Sequence, residues 1–208
     1  MDIKFIASTI QKNKNQCGIT IAFLGGMFCN KTTNLINLAQ ELSFLNMKVI
    51  IFKHNEDNRF TEKNEIISHG CLTLRESKNI TIKKYDISTL KNIINNFELI
   101  KDYDAIFIEE AHFLNNEINL LYDFSVFLYR NNKSFAFTAI DTWYTGDQVE
   151  SISNLINKFK PDFLFHQISI CSLCNNVAIF SKRMNNSSDK IQIGNSYIPV
   201  CRKCFIKE

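Results

Sequence analysis

No stretch of this chain is long and apolar enough to span a bilayer, which takes about 20 residues. No membrane association is therefore expected. The opening residues, Met1-Asp2-Ile3-Lys4, begin no apolar core of the kind that a secretory leader carries. A large excess of one charge is also missing. Lys and Arg number 24 against 21 Asp and Glu, a formal net charge of +3. So mild a balance neither demands nor excludes a nucleic-acid partner. Missing too is the spread of cysteines that knits a small secreted scaffold. Of seven cysteines, Cys17, Cys29 and Cys71 are scattered, and the other four fall in two C-x-x-C pairs near the C-terminus. That pattern points to a metal site in a reducing compartment rather than a disulfide framework. The expectation is a soluble, cytoplasmic protein.

What is present is enough for a substantial core. The chain has 208 residues, of which 45% are hydrophobic. This suits one nucleotide-binding domain with a small appendage. The abundance of Asn, Ile, Lys and Phe reads as a compositional bias and carries no function. Residues 1–16 are mixed and rich in Lys and Asn, and are expected to form a loose N-terminal arm. Residues 17–165 are expected to form the main domain, and residues 166–208 a small C-terminal one.

The densest signal is Gly25-Gly26-Met27-Phe28-Cys29-Asn30-Lys31-Thr32. It follows an apolar run, Cys17 to Leu24, that reads as a buried strand. It precedes a helical pattern from Lys31 to about Leu45. Strand, tight loop and helix form the setting of a phosphate-binding P-loop. Backbone N–H groups at a helix start face outward, and the helix dipole favours an anion there. Lys31 would add a point charge on the terminal phosphates, and Thr32 would hold Mg²⁺. Asn30 stands where the pattern has Gly. The Gly serves a backbone that turns left-handed, and Asn is among the better substitutes in that region. The competing reading is a chance Gly-Gly turn before an ordinary helix.

Downstream, strand and helix patterns alternate, which argues for an α/β fold: a P-loop (RecA-like), mostly parallel sheet with helices on both faces. Strands are expected at Met47 to Lys53, Ile80 to Lys83, Ala105 to Ile108 and Ser134 to Ile140. Ser88 is expected to cap a helix that runs through Leu90, Ile93, Ile94 and Phe97. Further helices are expected over Asn115 to Arg130 and Val149 to Phe159, the last ended by Pro161. The polar stretch from His54 to Gly70 shows no period. The run Ala105 to Ile108 delivers Glu109, Glu110, Ala111 and His112 at a strand's C-terminal end, where open α/β sheets bind ligands. Glu109 is placed to hold Mg²⁺, and Glu110 to act as a general base. A solvated acidic loop after a core strand is the alternative.

Cys171-Ser172-Leu173-Cys174 and Cys201-Arg202-Lys203-Cys204 can set four thiolates tetrahedrally about one Zn²⁺. Four protein ligands leave no open position, so the zinc would be structural. A redox role is the alternative.

Together these features resemble the zinc-containing (type II, cytosolic) thymidine kinase family, over roughly residues 17 to 205. The octet Gly25 to Thr32 resembles that family's G-P-M-F-[SA]-G-K-[ST]. Asp57-Asn58-Arg59-Phe60 resembles D-[ST]-R-[YF], and Glu109 to Phe113 resembles D-E-[AGV]-Q-F. Asp141 to Val149 resembles D-x-x-F-[RK]-G-[EK]-P-F. Ile193-Gly194-Asn195-Ser196-Tyr197 and the final cysteine pair resemble the ending of the family's lasso loop. The resemblance implies transfer of the γ-phosphate of ATP to the 5′-hydroxyl of thymidine or deoxyuridine. It implies ATP contacts along Gly25, Gly26, Met27, Phe28, Cys29, Asn30, Lys31 and Thr32, and along Glu109, Glu110, Ala111 and His112. Thr32 and Glu109 would hold Mg²⁺, Glu110 would be the base, and Lys31 and Arg59 would be the cations at the transferring group. Met27, Phe113, Ile140, Tyr144, Ser181 and Tyr197 match positions around the pyrimidine. Zn²⁺ on Cys171, Cys174, Cys201 and Cys204 would anchor a zinc-ribbon and lasso domain, and a homotetramer is implied. Departures are Asn30 for Gly, Glu109 for Asp, His112 for Gln, Gly70 for an Asp, Thr145 for a basic residue, and Gln148-Val149 for Pro-Phe.

Two other classes fit parts of the chain. Glu109-Glu110-Ala111-His112 resembles the D-E-A-H box of nucleic-acid-stimulated NTPases. Such enzymes need a second RecA-like domain, and the chain after the box is short and largely zinc ribbon. A nucleic-acid partner is therefore not expected. A binding protein that kept the fold and lost turnover is the other class.

Overall fold

The computed structural model describes residues 2–55, 65–184 and 196–206. Its centre is a sheet of six strands: β1 (Thr20–Leu24), β2 (Val49–His54), then, after a short antiparallel hairpin of β3 (Glu65–Ile67) and β4 (Thr73–Arg75), β5 (Ile80–Tyr85), β6 (Ala105–Ile108), β7 (Ser134–Ala139) and β8 (Phe163–His166). The spatial order is β5-β2-β6-β7-β1-β8, and every pairing is parallel.

Side-chain alternation along the strands divides the core in two. Ala22, Leu24, Ile50, Phe52, Ile106, Ile108, Phe135 and Phe137 face one side. Ile21, Phe23, Val49, Ile51, Ala105, Phe107 and Ala136 face the other. Both faces are apolar because both are covered by helices, as parallel strands require. On the second face lie α1 (Ile3–Lys12) and α2 (Lys31–Phe44). On the first lie α3 (Ile87–Asn95), α4 (Leu120–Arg130) and α5 (Glu150–Phe159). Removing a fully buried ring such as Phe107 from such a core costs about 3–5 kcal/mol.

Three expectations are corrected here. The opening residues are not a loose arm. Asp2 accepts a hydrogen bond from the Phe5 amide at 3.1 Å and starts α1, whose Ile6, Ala7 and Ile10 are buried. Their spacing is that of one helical face. Ser88 does not cap α3. Asp86 does, accepting from the Thr89 amide at 2.8 Å, while the Ser88 hydroxyl donates to Asp86 at 2.7 Å. The helix expected from Asn115 begins only at Leu120, after a 3₁₀ turn over Ala111–Leu114.

Beyond β8 come two small antiparallel pairs, β9 (Ser169–Ile170) with β10 (Val177–Ala178), and β11 (Phe180–Arg183) with β12 (Tyr197–Val200), and then α6 (Arg202–Ile206). Cys171, Ala178, Val200 and Cys201 form their core, and Phe180 stacks on Phe205 with centroids 4.4 Å apart. Among the described residues, no helix is long and apolar enough to cross a membrane.

Candidate active site

Because β7 lies between β6 and β1, the C-terminal ends of three neighbouring strands converge. β1 ends in the glycine loop, β6 in the two acids, and β7 in Ile140 and Asp141.

The loop takes the shape that its residue types allow. Gly25 has φ 134°, and a Cβ there would meet the Gln167 carbonyl oxygen at 2.3 Å, so only glycine fits. Asn30 has φ 64° and ψ 21°, the left-handed region anticipated for it. Phe28 is also left-handed, at φ 60°, and its ring packs on His69 at 4.5 Å. The Lys31 ammonium is buried (6% exposed) and donates to the Gly26 carbonyl at 2.6 Å. The Cys29 thiol donates to the same oxygen at 2.9 Å.

Thr32, in the first turn of α2, donates its hydroxyl to Glu109 Oε1 at 3.1 Å. Glu109 is 2% exposed. A hydroxyl and a carboxylate held together at a helix start are hard oxygen donors of the kind Mg²⁺ takes.

Glu110 is half-buried and opens towards the loop, sharing a pocket with Met27, Lys31, Thr32 and Ile140. Its backbone is left-handed, φ 57° and ψ 47°. A non-glycine residue holds that conformation only when its surroundings fix it. The Glu110 amide donates to Thr138 Oγ1 at 2.9 Å. The Tyr85 hydroxyl donates to the carbonyls of Glu109 and Glu110 at 3.1 and 3.2 Å. Burial, and then the negative charges of Glu109 and Glu110, push the Tyr85 pKa well above its ordinary value, so the hydroxyl remains a donor.

The residues expected around a pyrimidine do not form a single cluster. Met27 and Ile140 line the pocket with Glu110. Phe113 stacks on His54 at 4.3 Å. Tyr144 lies under the Arg183 guanidinium, 3.7 Å from its ring centroid, and Arg183 donates to the Tyr197 hydroxyl at 2.7 Å. Ser181 Oγ accepts the Met27 amide at 2.9 Å, so β11 lies directly on the loop. His112 faces Glu110, its Nε2 lying 3.3 Å from Glu110 Oε2. Arg59, with the rest of Asp57 to Phe60, and Ile193, Gly194 and Asn195 lie outside the described residues.

Sequence reading missed Tyr85, Thr138, His54 and Arg183. Thr138 was detectable as a polar residue in an apolar strand. Arg183 was detectable as the residue two beyond Ser181, on the same face of a strand.

The four thiols of Cys171, Cys174, Cys201 and Cys204 lie within 4.8 Å of one another. Cys174 Sγ is 3.5 Å from the sulfurs of both Cys201 and Cys204. Tetrahedral zinc with bonds of about 2.3 Å separates its sulfurs by about 3.8 Å, so the cluster fits that ion. Burial pushes the Cys171 thiol up, but hydrogen bonds from the Cys201, Leu173 and Cys174 amides and the Cys174 thiol bring it down to about 6. Such donors favour a thiolate, the form that binds metal.

Fold and site define a P-loop α/β protein with a cluster of four thiols compatible with a zinc site. A family model described as thymidine kinase matches residues 18–205. A thymidine kinase of Amsacta moorei entomopoxvirus is 33% identical over 184 residues, covering 88% of this chain and 94% of the relative. Thymidine kinase 1 of Dictyostelium discoideum is 30% identical, covering 87% of this chain and 74% of that protein. A thymidine kinase of Mycoplasma capricolum is 28% identical over 202 residues, covering 93% and 91%. The chain belongs to the thymidine kinase family.

Proposed function

We propose that this protein transfers the γ-phosphate of ATP to the 5′-hydroxyl of thymidine. The observation that carries the reading is the meeting of Glu110 with the glycine loop in one pocket, directly beside the Thr32–Glu109 contact. The loop amides and Lys31 hold the phosphates, with Lys31 exchanging the Gly26 carbonyl for phosphate oxygen. Thr32 and Glu109 are the residues that would hold Mg²⁺, which neutralises charge on the phosphates. The Glu110 carboxylate takes the proton of the 5′-hydroxyl as that oxygen bonds to the γ-phosphorus. The bond from that phosphorus to the β-phosphate oxygen breaks, and ADP leaves. Met27 and Ile140 flank the nucleoside, with Phe113, Tyr144, Ser181 and Tyr197 around the base. Arg59 is assigned to the transferring phosphoryl group by sequence pattern.

Four further points belong to the same reading. Zn²⁺ on the four thiols has a structural role, bracing the β11–β12 hairpin over the loop. The two C-x-x-C pairs, a metal pattern rather than a disulfide framework, support a cytoplasmic setting. The chain is divided near residue 165 into a kinase domain, whose core α1 joins through Ile6, Ala7 and Ile10, and the ribbon. A homotetramer is favoured by an exposed apolar strip that includes Ile168, Ile170, Val177 and Ile179, in which Ile170 and Val177 face each other across β9 and β10.

The decisive test is thymidine phosphorylation by the zinc-loaded protein with Mg-ATP, beside Glu110→Gln. The variant is expected to bind both substrates and to lose about 10²–10⁴-fold in kcat. Equal turnover by the two proteins would remove Glu110 as the base, and no wild-type turnover would remove the kinase reading.

A further inference from the structure

The turn between β7 and α5 is where the kinase domain meets the ribbon. Its shape is set locally: the Trp143 amide donates to the Asp147 carbonyl at 2.8 Å, and the Gly146 amide to the Trp143 carbonyl at 2.9 Å. Between Trp143 and Val149 none of its side chains is buried. The ribbon touches it at two points. Gly146 lies against Phe205 of α6, whose ring is 3.2 Å from where a Cβ would stand. The other point is Tyr144, whose ring centroid lies 3.7 Å from the carbon of the Arg183 guanidinium.

Arg183 ends β11 and faces Tyr197 across the ladder with β12. Its Nη2 donates to the Tyr197 hydroxyl at 2.7 Å. The rings of Tyr144 and Tyr197 are 6.3 Å apart, and the same guanidinium lies 5.3 Å from the second of them. One cation thus serves two rings in two ways, its carbon over Tyr144 and a nitrogen on the hydroxyl of Tyr197. Two residues back, on the same side of β11, Ser181 accepts the Met27 amide. The strand therefore runs from the glycine loop to the two tyrosines.

We propose that Arg183 is a positioning residue for the nucleoside. It ties Tyr144, on the kinase domain, to Tyr197, on the ribbon, and makes one wall from side chains of two domains. This rests on the reading of both tyrosines as neighbours of the base. A guanidinium suits the task, because a planar cation drawn to a ring face keeps N–H groups at its rim for a second partner. The ammonium of lysine is a compact point charge and cannot cover a ring and reach a hydroxyl with the same fit. Methionine supplies neither charge nor donor. Arg183 has no part in phosphoryl transfer in this reading, so its loss is expected to weaken the hold on thymidine and to spare the chemical step.

Two measurements test this. The first is calorimetric titration of the zinc-loaded protein with thymidine and, separately, with Mg-ATP. Arg183→Met is expected to bind thymidine about 5–30-fold more weakly than wild type, with Mg-ATP affinity within about twofold. In turnover the thymidine KM should rise by a similar factor while kcat stays within about threefold. Arg183→Lys is expected to fall between Arg183→Met and wild type. Combining Arg183→Met with Tyr144→Leu should weaken thymidine binding by less than the product of the two single losses, as for groups that act together. Equal thymidine affinity in Arg183→Met and wild type overturns the proposal. Independent losses in the double variant overturn it too. So does an equal fall in Mg-ATP affinity, which would mark Arg183 as a support of the whole hairpin. Failure of the kinase reading looks different: the wild-type protein itself would bind no thymidine, and the role of Arg183 would go with it.

The second measurement needs no ligand. Protons held over an aromatic ring resonate upfield. The side-chain N–H signals of Arg183, assigned by comparison with Arg183→Lys, are expected upfield of ordinary arginine signals in the wild-type protein and at ordinary positions in Tyr144→Leu. Ordinary positions in both proteins overturn the proposal, whatever thymidine does.

Discussion

Asn30 shows how much one backbone angle decides. At φ 64° the loop is bent left-handed, which asparagine accepts and a β-branched side chain does not. Asn30→Val should therefore unfold at lower denaturant, by about 1–2 kcal/mol, while Asn30→Gly should be at least as stable as wild type. Equal midpoints for the Val and Gly variants would contradict this account of the loop. The angle was legible in the sequence because asparagine stands where the phosphate-loop pattern has glycine. The setting of Glu110 was not legible. Its backbone is held by Tyr85 from β5 and Thr138 from β7, and its carboxylate faces His112. No spacing rule joins residues from separate strands until the strand order is known.

At the level of elements, five of the six sheet strands were readable as short runs rich in apolar residues, while β8 (Phe163–His166), shortly after Pro161, was not anticipated. Nor were the smaller strands. A pair such as β9 and β10 has two residues in each strand, too few to display a period. Helix α1 was misread although its signal was present: Ile3, Ile6, Ala7 and Ile10 mark one face, interleaved with Lys4, Phe5, Ser8 and Thr9. The cluster of four thiols was readable from the two C-x-x-C pairs, but the attachment of β11 to the loop through Ser181 and the Met27 amide was not. That attachment gives a prediction. Stripping the metal with a chelator should melt β9 to α6 ahead of the central sheet, producing two thermal transitions in place of one. It should lower turnover before the sheet unfolds. One unchanged transition, with activity kept, would show that the ribbon stands without metal.

For the whole molecule, the exposed pair Ile170 and Val177 gives the assembly a definite test. Light scattering should return the mass of four copies for the wild-type protein. Replacing both residues by lysine should yield smaller species without loss of secondary structure. A wild-type monomer would refute the tetramer, and an intact tetramer in the variant would move its interface elsewhere. The order of the central sheet bears on the protein's synthesis. β1 carries the glycine loop, yet it pairs only with β7 and β8: Thr20 with Phe135, and Ile21 with Phe163. A chain growing from the ribosome thus makes its phosphate-binding strand first and completes it last. While β2, β5 and β6 assemble, Thr20 to Leu24 waits with no strand on either side, an apolar segment exposed to wrong partners. The interval between synthesis of β1 and of β7 is therefore the one in which this segment most needs shielding from wrong partners.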